Sequence, residues 1–146
     1  MSASMSDKDA DKCKNVSEYE SKFPVEKRKE NAEKIIAKHA DRVPVLVQKS
    51  EKSLLNDIER FKYLVPRDIT LAQFLSVIRK KIVTMNETQA LWLFVPDTKE
   101  NTDGKKKTSF ILAPTSSSMG DLYDKNKSED AFLRIIYTEE NVFGSC

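Results

Sequence analysis

Apolar side chains recur at helical spacing in "TLAQFLSVIRKKI": Leu71, Phe74, Leu75, Ile78 and Ile82 form one stripe that predicts an amphipathic helix facing a core. Thr70 followed by Gln73 has the form of a capping box, which sets the start of that helix. A second helical pattern, Ala32, Ile35, Ile36 and His39, runs through "YESKFPVEKRKENAEKIIAKHADRVP". Pro24 is acceptable in its first turn, where an amide hydrogen has no intrahelical partner. The helix should stop before Pro44.

Elsewhere the pattern is that of strands. "VPVLVQK" is a short β-branched run, and "RFKYLVP" is a second one, joined to it through "KSLLND". Pro66 closes "RFKYLVP" and cannot donate to a ladder, so this strand belongs at a sheet edge or ends at one. "ALWLFV" is continuously apolar, as expected for a strand covered on both faces, and this places Trp92 and Phe94 in the core. "SMGDLYDKN" suits a short helix and "AFLRIIYTEE" a last strand. The order helix, strand, strand, helix, strand, short helix, strand predicts an α+β domain with a sheet packed around a helix.

Two stretches lie outside this pattern. Residues from Met1 to about Glu18 mix charge, Ser and Ala without periodicity and read as a mobile tail. "PDTKENTDGKKKTSFILAP" is long and charged, with Asp103-Gly104 as its turn signal.

A length of 146 residues suits one domain with one core. Lysines and arginines nearly cancel the acids, leaving a net charge of +2, so the balance does not call for an anionic partner. The basic runs "KRK", "RKK" and "KKK" are interleaved with acids and lack stacking aromatics, so no nucleic-acid partner is expected. No apolar run approaches the roughly 20 residues that span a bilayer. The first residues lack the apolar core of a secretory signal. The expected placement is cytoplasmic, with any membrane association acquired. Cys13 and Cys146 lie near opposite ends in polar surroundings and suit a reducing compartment.

Catalytic chemistry is sparse. The one histidine, His39, has no cysteine preorganised against it, because both cysteines fall in expected tails. No Cys/His cluster could hold zinc. With three glycines there is no phosphate-binding loop. The expectation is a chain that is not an enzyme, with no cofactor and no metal.

"FPVEKRK", "DRVPVLVQK", "KYLVPRDITLAQFLSVIRKKI", "LWLFV", "PTSSSMGDLY" and "FLRIIYTEENVFG" together resemble the GABARAP-type ubiquitin-like modifiers of autophagy. The resemblance runs from about Tyr19 to Gly144 with one insertion. It implies a ubiquitin-like β-grasp with additional N-terminal helices. The implied organisation is a tail at 1–18, a domain at 19–142 with an insertion at about 97–113, and a conjugation and processing tail at 143–146. In such proteins a cysteine protease trims the precursor to a C-terminal glycine. Activating and conjugating enzymes then carry that carboxyl group to the amine of phosphatidylethanolamine. By resemblance, Phe143 is the recognition handle, Gly144 the conjugated residue, and Ser145 and Cys146 the removable cap. Glycine suits the role, since without a β-carbon its carbonyl enters narrow clefts. The lipid-linked protein would reside on autophagosome membranes.

The resemblance also implies cargo receptors that bind through short motifs with one aromatic and one aliphatic anchor, adding a strand to the sheet. The implied aromatic pocket comprises Ile35, Pro44, Leu46, Lys62, Leu64 and Phe132. The aliphatic pocket comprises Tyr63, Val65, Pro66, Ile69, Phe74 and Val77. Arg42, Arg60, Arg79 and Lys81 are the implied contacts for flanking acids. Strand alternation alone sets Lys62 and Leu64 on one side of "RFKYLVP" and Tyr63 and Val65 on the other.

Several features depart from the family pattern. Val25 stands where an aromatic usually follows the proline, and Asn31 replaces an acid. The insertion leaves three readings open: an added hairpin, a membrane contact or a disordered loop. A non-conjugated adaptor in trafficking or at microtubules is the alternative to a lipid-linked modifier.

Overall fold

The computed structural model describes residues 13–51, 53–55, 58, 60–82 and 90–139. Helix α1 (Val16–Lys22) begins behind Asn15, whose Oδ1 accepts the Glu18 amide at 2.9 Å. This corrects the tail expected as far as Glu18: a side-chain cap and two buried residues, Val16 and Tyr19, hold a helix there. Cys13, also expected in that tail, is 6% exposed and packs in a cluster with Val16 and Tyr19. Helix α2 (Val25–Lys38) is separate, and Pro24 is its N-cap residue, outside the first turn. On α2 the buried residues are Asn31 and Ala32; Ile35 and Ile36 are half-buried, and His39 is an exposed C-cap.

Five strands follow in a mixed sheet ordered β2-β1-β5-β3-β4: β1 (Arg42–Lys49), β2 (Lys62–Pro66), β3 (Leu91–Glu100), β4 (Lys106–Leu112) and β5 (Leu133–Glu139). β1 and β5 run parallel at the centre, and the other pairings are antiparallel. Helix α3 (Leu71–Lys81) starts at Thr70 with the predicted capping box complete, and its Leu71, Phe74 and Ile78 are buried. Helix α4 (Met119–Asn126) is capped by Ser118, whose hydroxyl accepts the Asp121 amide at 3.2 Å.

The sheet is covered on two sides. Val43, Val45, Val65, Leu93, Val95, Leu133, Ile135 and Tyr137 meet α3 and α4 in the main core. Leu46, Phe61 and Phe132 meet Tyr19 and Ala32 from α1 and α2 in a smaller cluster. Tyr19 is its hub, with rings of Phe23, Phe61 and Phe132 at 5.2, 5.8 and 6.0 Å. The buried Asn31 Nδ2 donates to the Tyr19 hydroxyl at 3.1 Å, so the departure from an acid at this position is satisfied by a neutral hydrogen bond.

Two prolines sit inside strands without breaking the sheet. In the β1–β2 register the Val47 amide donates to the Phe61 carbonyl at 2.7 Å, and the Arg67 amide to the Asp41 carbonyl at 3.0 Å. Bonded and unbonded pairs alternate along an antiparallel ladder. Pro44 opposite Leu64 is therefore an unbonded pair, and the parallel pairing with β5 begins only at Val45. Pro96 opposite Phe110 is likewise unbonded, and pairing of β3 with β5 stops at Phe94. The Pro96 carbonyl accepts Asn126 Nδ2 from the end of α4 at 2.8 Å.

The insertion forms a hairpin, β3 with β4, the first of the three readings drawn from the sequence and not the disordered loop. Its turn contains Gly104 at a φ of +82°, a conformation that favours glycine. The turn closes by bonds between Asn101 and Lys105 and between Gly104 and Asn101.

Candidate functional site

β2 is an edge strand, as Pro66 predicts. The alternation that makes Pro44–Leu64 and Leu46–Lys62 unbonded pairs points the backbone groups of Lys62 and Leu64 away from β1, off the sheet. Those are the groups an added strand would bond. Arg60 Nε already donates to the Lys62 carbonyl at 3.2 Å, so the arginine occupies one of these places. Pro66 has no amide to offer and marks the end of the usable edge.

Beside this edge lies a hollow of about 270 Å³ between α2 and β2, lined by Lys34, Ile35, Lys38, His39, Arg60, Lys62, Tyr63 and Leu64. Its apolar parts come from Ile35 and Leu64. Lys34, Lys38, Arg60 and Lys62 put four cations around it, with no carboxylate among its described lining residues. Lys34 is shared with Glu30 at 3.4 Å. An extended ligand with an apolar anchor and flanking acids is the chemistry that such a site accepts.

Of the aromatic-pocket residues implied by resemblance, the structure brings Ile35, Lys62 and Leu64 to the hollow. Leu46 and Phe132 are fully buried in the cluster behind it, and Pro44 is buried opposite Leu64. Of the aliphatic set, Tyr63 and Phe74 meet edge to face at 5.6 Å; Val65 and Phe74 are core, and Ile69 packs against that core. Pro66 is half-buried, and Val77 stands 40% exposed. Arg42 and Lys81 are exposed and Arg79 half-buried, while Arg60 lines the hollow itself. Phe143, Gly144, Ser145 and Cys146 lie outside the described residues.

Lys34 and Lys38 line the hollow without having been singled out from the sequence, and His39, weighed there as a helix-face and catalytic residue, joins them. A signal was available: Lys34 and Lys38, and Ile35 and His39, are pairs four residues apart, so they share one flank of α2.

Comparisons with known proteins agree on one family. The model described as "Autophagy protein Atg8 ubiquitin like" matches residues 27–144. The chain is 42% identical over 130 residues to Autophagy-related protein 8 of Emericella nidulans, covering 89% of this chain and 98% of that protein. The same protein of Penicillium rubens is 41% identical over 128 residues, covering 88% and 97%. The fold superposes on the crystal structure of Trypanosoma brucei ATG8 with a TM-score of 0.68 at 34% identity, covering 86% of this chain and 97% of that one.

Proposed function

The chain belongs to the Atg8 family of ubiquitin-like modifiers of autophagy, and from that membership we propose how this member works. It is trimmed by a cysteine protease to expose Gly144. An activating enzyme adenylates the Gly144 carboxylate with ATP, releasing pyrophosphate, and its cysteine displaces AMP to form a thioester. After transfer to a conjugating enzyme's cysteine, the amine of phosphatidylethanolamine displaces the thiol and forms an amide bond. Attachment of a two-chain lipid turns a polar globule into a stably anchored one. On the autophagosome membrane it recruits receptors whose short extended motifs add a strand at β2. The chain acts as the substrate of this machinery, with no catalytic step of its own.

The observation that carries the receptor-binding part is the open β2 edge. The outward backbone groups of Lys62 and Leu64 lie beside a hollow with apolar walls and four cations. Strand addition draws affinity from the backbone bonds and specificity from side chains that enter pockets. The cationic surround adds attraction for acids flanking the motif.

Intact-mass analysis tests the processing. Exposure to the family's protease should remove Ser145 and Cys146, and membranes from starved cells should yield the trimmed chain carrying phosphatidylethanolamine. An uncut C-terminus together with lipid-free membrane fractions overturns the conjugation reading and leaves the non-conjugated adaptor. Gly144→Ala separates these two as well, since only the modifier would lose its membrane puncta.

A further inference from the structure

The sheet has a second open edge, at β4, on the far side from β2. All seven residues of β4 are exposed, and among the described residues no strand pairs with its outer side. Bonds from the Ala113 amide to the Leu93 carbonyl and from the Asn101 amide to the Lys105 carbonyl fix the ladder phase at both ends of the hairpin. By alternation, the backbone groups of Lys106, Thr108, Phe110 and Leu112 point outward.

The side chains divide this edge into two halves. Phe110, Ile111 and Leu112 are 46%, 41% and 54% exposed, and they are three of the five exposed large hydrophobics among the described residues. Lys106 and Lys107 occupy the half toward the turn. Lysines protect many natural edge strands from pairing, but here they guard only one half. Lys107 also faces Lys99 directly across the β3–β4 ladder, a like-charge pair that an incoming carboxylate would relieve. Lys99 has a carboxylate, Asp97 Oδ2, at 3.7 Å.

Over its full length the strand is not complementary to a second copy of itself. A second copy paired parallel would set lysine against lysine. Paired antiparallel about Ser109, it would set Lys106 against Leu112 and Lys107 against Ile111. The complement is a strand that is apolar at one end and acidic at the other.

We propose that the β4 edge is a second strand-addition site, which takes an extended peptide running antiparallel with its apolar residues preceding its carboxylates. The apolar residues cover Leu112 to Phe110, and the carboxylates meet Lys107 and Lys106. This goes beyond the groove at β2 and does not depend on conjugation at Gly144.

The probe is the synthetic peptide Val-Ile-Val-Thr-Thr-Glu-Glu, added to the isotope-labelled full chain. Its control carries Lys-Lys in place of Glu-Glu. The amides of Lys106, Thr108, Phe110 and Leu112 should shift and gain protection from exchange with the first peptide only. Lys106→Glu with Lys107→Glu, at exposed positions, should weaken that peptide about tenfold and reverse the preference between the two. Phe110→Ala should weaken it without changing the preference, and Leu64→Ala should leave it unaltered. Shifts confined to Lys62 and Leu64 overturn the proposal. So does self-association of the chain through β4 without peptide, or a β4 response to phosphatidylserine vesicles but not to peptide.

Discussion

Arg134 grips Asp130 through two parallel hydrogen bonds, Nη1 to Oδ1 at 2.9 Å and Nη2 to Oδ2 at 2.8 Å. Arg28 Nε reaches the same carboxylate from α2 at 2.8 Å, and the Phe132 amide adds a fourth bond at 3.2 Å. Arg134 Nη2 extends to Glu20 of α1 at 2.6 Å. One carboxylate, 1% exposed, thus fastens α2 directly to β5, and through Arg134 reaches α1. Asp130→Ala would strand two largely buried guanidinium groups. The expected loss is about 3–5 kcal/mol. Urea unfolding reads it, and a loss below about 1 kcal/mol would contradict the role given to Asp130.

The same group makes stability depend on pH. Burial by itself raises the Asp130 pKa, but the hydrogen bond and charge of Arg134, then Arg28 and the Phe132 amide, outweigh it and hold the carboxyl below its ordinary range. The unfolded chain then binds the proton more readily than the folded one. The stabilisation is complete above the ordinary carboxylate range and is lost as pH falls below about 4 and through the folded value. Unfolding free energies measured from pH 6 down to pH 2.5 should fall on the acid side. Asp130→Asn should flatten that fall, and an unchanged acid limb in the variant would count against this assignment.

Ala131 has a φ of +63°, the left-handed region. Its carbonyl accepts the Tyr123 hydroxyl at 2.6 Å and its amide donates to Ser128 at 3.0 Å, which hold the turn in place. An alanine there costs about 1–2 kcal/mol, and glycine gives back about 0.5–1 kcal/mol through unfolded-state entropy. Ala131→Gly should therefore stabilise by about 0.5 kcal/mol, raising the melting temperature by about 2 °C. A lower melting temperature would show that the turn carries no strain.

Leu64 walls the hollow but is only half-buried, whereas Leu46 and Phe132 behind it are fully buried. Leu64→Ala should weaken aromatic–aliphatic motif peptides about tenfold while costing about 1 kcal/mol of stability. Calorimetry with such a peptide and urea unfolding separate the two effects. Leu46→Ala is the contrasting variant, with a stability loss of about 2–5 kcal/mol. Unchanged peptide affinity in Leu64→Ala would remove this residue from the site.

Local periodicity carried much of the fold. Thr70, Gln73 and the stripe from Leu71 to Ile82 specify α3 without tertiary help, and Pro66 marks β2 as an edge. Helix α1 was not legible, because seven residues hold too few turns for periodicity to show, and its signal is one Asn15 cap. The burial of Cys13 follows from that helix. The Arg28–Asp130 pair is 102 residues apart in sequence, and no local pattern predicts it. At the site, strand alternation placed Lys62 and Leu64 together. The cations of α2 are brought to them only by the docking of that helix on β1.

Four interstrand steps of about 4.8 Å separate β2 from β4, a span of roughly 19 Å. With both edges occupied as proposed, two borders that far apart, facing opposite ways, would let one molecule hold two guests without crowding. A population of such molecules tethered to one vesicle would then behave as a crosslinker, in which weak grips at either hem add up to avidity.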